Sequence, residues 1–143
     1  VTYTTISGLT DTVVTGSITP KHDDSSILIF ASFSADVLDT TNDAGYGLKM
    51  KKTGTGVTST YGSPLIGPMV QDEGHSVFYR GNYQYDYLTN FHQFALMDND
   101  CETTNMITYT LQAKDYGVGN RLYVGGNNWD NIQWSIFFQE IKR

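Results

Sequence analysis

IQWSIFFQEI, residues 132–141, decides the fold. Ile132, Trp134, Ile136 and Phe138 alternate with Gln133, Ser135 and Gln139. A period of two in a β-branched and aromatic segment reads as a strand with one buried face. Phe137 and Ile141 add apolar weight to the other face. So apolar a strand is expected to lie centrally in a sheet.

The same reading extends backward. Residues 27–38 form a second strong strand, apolar on both faces through Phe30 and then alternating as Ala31, Phe33, Ala35 and Val37 against Ser32, Ser34 and Asp36. Residues 106–114 alternate cleanly, with Ile107, Tyr109, Leu111 and Ala113 facing inward. Tyr46, Leu48 and Met50 face one way, and Lys49 and Lys51 the other. Shorter strands are expected at 2–6, 13–18, 57–61, 76–80, 90–97 and 121–124. Thr53-Gly54-Thr55-Gly56 reads as a hairpin reversal. Residues 62–74, with Pro64, Pro68 and several glycines, read as a long loop. No helical period is sustained anywhere. About ten short strands separated by turn signals predict an all-β sandwich or barrel.

Composition narrows the function. The chain has 143 residues, enough for one domain with its own core, spanning 1–143. It opens at Val1, which is read as a terminal fragment of a longer protein. A net charge of -6 argues against nucleic acid, whose phosphates need a basic face. No apolar run reaches the length of a membrane helix. Cys101 is the single cysteine, so no intrachain disulfide forms.

Candidate chemistry lies in the turns. Trp129, in GGNNWDN beside Asn127, Asn128 and Asp130, suits a sugar ring, stacking on its C–H face while amides and carboxylates bond its hydroxyls; the alternative is a Trp capping the core. Asp36, Asp39, Asn42 and Asp43, and the group Asp98, Asp100 and Glu102, are rich in hard oxygens, but neither spacing matches a calcium loop, and solvated turns explain them. Tyr83, Tyr85 and Tyr87 share a face if extended, and are read as subunit interface rather than a binding platform. His22, His75 and His92 lie too far apart for a local zinc motif, and His92 is read as a satisfied, partly buried histidine. No Gly-x-Ser-x-Gly elbow occurs and no carboxylate pair is singled out, so no enzyme, cofactor or metal is expected.

Three segments carry a resemblance when taken in order: ITPKHDDSSILIFASFSADV at 18–37, MD…TTNMITYTLQAK at 97–114, and the closing WSIFFQEIKR. Together they resemble the C-terminal head domains of bacteriophage tail fibres, of marine and cyanobacterial phage type. The chain departs from that pattern at 97–105 and in its tyrosine-rich middle. The strand pattern is also similar to the jelly roll of complement-type and tumour-necrosis-factor-like trimers. The resemblance implies an antiparallel jelly-roll β-sandwich assembling as a homotrimer at the virion's tail-fibre tip. It implies adsorption to a host-surface glycan or outer-membrane protein. The terminal strand would lie near the threefold axis, giving Trp134, Ile136 and Phe138, with Tyr83, Tyr85 and Tyr87, as interface. Counting strand reversals back from the last strand puts 39–45, 61–74, 98–105 and 125–131 at the tip opposite the termini. Ligand-binding candidates are then Trp129, Asn127, Asn128, Asp130, Asp39, Asn42, Asp43, Tyr61, Asp98 and Asp100. The loops 20–26, 53–56, 84–89 and 115–120 would lie at the base. The alternatives are a capping, trimerising or capsid-decorating domain, and a polysaccharide depolymerase.

Overall fold

The computed structural model describes residues 10–38, 44–58, 76–81, 87–116, 121–125 and 134–142. Every regular element among them is a strand: β1 (Thr10–Ile18), β2 (Ser26–Leu38), β3 (Ala44–Gly54), β4 (Ser76–Gly81), β5 (Tyr87–Asp98), β6 (Ile107–Tyr116), β7 (Arg121–Val124) and β8 (Ser135–Ile141). They form two antiparallel sheets. One has the order β1-β6-β3-β4; the other has the order β5-β2-β7, with β8 also paired to β2.

The alternation in sequence explains the sandwich. Ile27, Ile29, Ala31, Phe33 and Ala35 on β2 face Tyr46, Leu48 and Met50 on β3 and Ile107, Tyr109, Leu111 and Ala113 on β6, and all are buried in one core. Removing that apolar area from water is the main stabilising term, at roughly 25 cal/mol per Å². The outer face of the first sheet is polar, and hydroxyls pair across its strands: Thr15 with Thr110 at 2.9 Å, and Ser17 with Thr108 at 2.8 Å. The 53–56 reversal is present: Val57 N–H donates to Gly54 O at 3.2 Å, and Gly56 has φ 87°, a backbone that glycine reaches without penalty.

β8 corrects the opening expectation. Among the described residues it pairs with β2 alone, so the central strand of this sheet is β2 and β8 lies at an edge. β7 covers β2 from Ala35 to Leu38, and β8 continues along the same flank from Ser32 to Ser26. Edge position does not expose Ile136 and Phe138, because they pack onto the core from the side, with Phe138 ring-to-ring against Tyr109 at 5.4 Å.

The collinear pair β7 and β8 also overturns the count of reversals. Both run antiparallel to β2, so the chain does not reverse between them. Asp98 pairs with Ile27 and Ile141 with Ser26, so residues 98–105 lie at the same end as 20–26, 53–56 and the close of β8, not opposite them. Tyr87 and Arg121 both pair with Leu38, and Tyr116 pairs with Gly45. The strand ends bordering 84–89 and 115–120 therefore gather at the opposite end, beside those bordering 39–43. β7 ends partway along β2, with Val124 opposite Ala35 and Gly125 N–H donating to Ser34 O at 2.9 Å, and residues 126–131 lie outside the described residues. Val57 and Thr58 are not strand.

Candidate functional site

The best-defined polar assembly sits at the β8 end and is built from all three segments singled out above. Glu140, near the close of β8, reaches the turn at 20–25. Its Oε1 accepts the N–H groups of Lys21 at 2.9 Å and His22 at 3.1 Å and the Ser25 hydroxyl at 2.8 Å, and its Oε2 accepts Lys21 N–H at 3.0 Å. Those bonds, with the Lys21 backbone first, hold the carboxyl below its ordinary pKa. Cys101 N–H donates to Ser25 O at 2.9 Å, and its buried thiol donates to His22 O at 3.0 Å. Asn105 Nδ2 donates to Thr55 O at 3.2 Å, tying the third loop of this end to the first two.

Inside this end lies a lysine. Lys52 continues the inward row Tyr46, Leu48, Met50, and its side chain is 1% exposed. Its three N–H bonds go to Asp98 Oδ2 at 2.8 Å, Glu102 Oε2 at 2.9 Å and Asp100 O at 2.6 Å. Burial works against the ammonium, but Asp98 and Glu102 outweigh it, so its pKa stands above the ordinary lysine value. Tyr109 O–H donates to Asp98 Oδ2 at 2.6 Å. Burial first, and then Asp98, push the Tyr109 phenol far above its usual pKa.

Above this centre Asp23, Asp24, Asp100 and Glu102 line an open acidic groove of about 380 Å³. Among the described residues no group of three His, Cys, Asp or Glu side chains is arranged to hold a metal ion. A second groove of about 380 Å³ lies on the outer face of the other sheet. Phe30 there pairs directly with Phe137 on β8 and with Ala95 on β5, and the next row is Ser32 with Ser135 and Gln93. Phe137 is 65% exposed, Phe30 42% and Phe91, further along β5, 75%.

The expected ligand residues fare unevenly. Asp98 is buried and engaged by Lys52 and Tyr109, and Asp100, exposed, caps its own loop by accepting Glu102 N–H at 3.0 Å. Trp129, Asn127, Asn128, Asp130, Asp39, Asn42, Asp43 and Tyr61 lie outside the described residues. Of the expected interface, Ile136 and Phe138 meet the second sheet of their own chain, and Trp134 is partly exposed beside Gly125. Tyr83 and Tyr85 lie outside the described residues, and Tyr87 opens β5 opposite Leu38. His92 is buried in the core, with Nε2 2.6 Å from the Tyr46 hydroxyl. Sequence reasoning missed Lys52, because the alternation was followed only as far as Met50 and Lys51. The available signal was parity: Lys52 falls on the even-numbered row of Leu48 and Met50. Phe137 was placed on the second face of its strand, but its exposure and that of Phe30 were not foreseen.

Comparison with protein-family models, with curated proteins and with solved structures finds no match to this chain.

Proposed function

We propose that this β-sandwich is a binding module, the head domain of a phage tail fibre, trimeric and jelly-roll in type, adsorbing to a host-surface glycan or outer-membrane protein. The observation that carries the reading is the convergence of the three resembling segments. The turn after the ITP segment is held by Glu140 of the terminal Glu-Ile and by Cys101 of the 98–105 loop, so parts of all three segments meet at one end. A pattern scattered over the chain thus becomes one structural device, a locked end. It leaves the opposite end, bordered by Leu38, Ala44, Tyr87 and Tyr116, for contact with a host. The exposed Phe30–Phe137 pair fits self-association, because contiguous apolar surface on a soluble domain marks interaction sites. Three copies of a weak site reinforce one another through effective concentration.

Labelled protein offered to a panel of bacterial strains tests this reading. Retention on host cells, lost when Asp39, Asn42 and Asp43 are all changed to Ala, is the expected result. A folded trimer that binds no strain refutes the adsorption reading and leaves the capping role, which the locked end also fits.

A further inference from the structure

We propose that Lys52 and Asp98 condense into an intramolecular amide, a covalent staple between the two sheets, with Glu102 as the proton carrier. Lys52 lies on β3 of one sheet and Asp98 closes β5 of the other. Their side chains are 1% and 7% exposed, and Nζ stands 2.8 Å from Oδ2. Glu102 Oε2 stands 2.9 Å from the same nitrogen. An amine thus touches two carboxylates, one buried with it and one at the rim of the acidic groove.

The step balances without any co-reactant. Glu102 Oε2 takes a proton from the Lys52 ammonium, freeing the nitrogen lone pair. That pair forms the bond to Asp98 Cγ. The Cγ–Oδ2 bond breaks with its electrons on oxygen. Oδ2 leaves as water, carrying two protons that began on Nζ and were passed on through Glu102, and the third proton stays on the amide nitrogen. One ammonium and one carboxylate become one amide and one water, and the net charge of the chain is unchanged.

Asp98 and Glu102 raise the Lys52 pKa and so oppose the first proton transfer, while the geometry of the neighbours favours the course that follows it. Tyr109 donates to Oδ2, the departing oxygen, at 2.6 Å, and its raised pKa keeps it a donor throughout. Glu102 is held with φ 67°, a left-handed backbone uncommon outside glycine. Thr58 occupies its Oε1 through both N–H and hydroxyl, which turns Oε2 toward Lys52. Contact within one folded chain replaces an encounter in solution, the largest contribution that positioning alone makes to such reactions. Burying an ion pair is costly, and the amide removes both charges while keeping the sheets joined. The inference is independent of the fibre-head reading.

Intact-mass spectrometry of the denatured wild-type chain tests it. The expected mass is one water below the sequence mass, and a protease digest yields a linked peptide pair joining Lys52 to Asp98. The conservative Glu102→Gln, at a partly exposed position, is expected to fold and to show the full sequence mass. Full mass in the wild type, or loss of water without the linked pair, overturns the proposal. Linkage persisting in Glu102→Gln overturns the role of Glu102.

Discussion

Both carboxylate oxygens of Glu140 receive the backbone N–H of Lys21, at 2.9 and 3.0 Å. The contact joins the last strand to the first turn after β1 and, with Cys101 and Asn105, closes one end of the sandwich. Glu140→Ala is expected to lower the melting temperature and to speed amide exchange at Lys21 and His22 while leaving β6 unchanged. The linkage has a definite sign. The folded-state pKa is depressed, so this contribution is complete above the ordinary glutamate value of 4.5 and is lost as pH falls through the depressed one. Exchange at Lys21 that is indifferent to the substitution would show that the carboxylate does not hold the turn.

Neighbouring phenylalanines on β8 should behave oppositely. Phe138 packs on Tyr109, so Phe138→Ala is expected to destabilise by about 3 kcal/mol, the low end of the range for removing a core phenylalanine, since its ring is partly exposed. Phe137→Ala is expected within roughly 0.5 kcal/mol in the dissociated chain, as an outward side chain with no core contact. Urea denaturation of both variants at low concentration checks the pair, and equal losses would mean that the inward and outward rows are misassigned.

Gly16 marks where β1 presses on β8. A Cβ built there meets Ile136 Cγ2 at 2.7 Å and Phe138 Cε2 at 2.8 Å. Gly16→Ala is therefore expected to cost about 1–3 kcal/mol through overpacking. The double variant with Phe138→Leu should recover part of that loss, and denaturation midpoints of the two proteins supply the comparison.

His92 is expected to make the fold sensitive to mild acid. It is buried against Phe33 and Phe94, with ring centroids at 5.3 and 5.4 Å, and burial lowers its pKa below 6.5. The unfolded chain takes up the proton more readily than the folded one. Stability contributed here is complete above pH 6.5 and declines as pH falls toward the depressed value. Denaturation midpoints measured between pH 7 and 5 should fall in the wild type and fall less in His92→Gln, which keeps a partner for the Tyr46 hydroxyl.

The alternating rows of β2, β3 and β6 were legible because a period of two leaves no freedom about which side faces the core. The reversal at 53–56 was equally open to reading, since its glycines state the turn. Two things were not. Whether Ile136 and Phe138 met their own second sheet or a sister chain could not be read from alternation, which names a buried face but not what covers it. The direction of β7 relative to β8 was hidden for a related reason: the segment between them reads as a reversal by composition, yet both strands lie along one flank of β2. Lys52 shows a third limit. Parity puts it on the inward row, but the carboxylates that make its burial possible come from a distant loop and cannot be read from β3 alone.

The fibre-head account rests on sister copies covering the outward phenylalanines. Sedimentation equilibrium of the purified chain at micromolar concentration measures this directly. The account predicts three times the chain mass, with dissociation when Phe30 and Phe137 are both changed to Ser. A single-chain mass for the wild type across that range would contradict it.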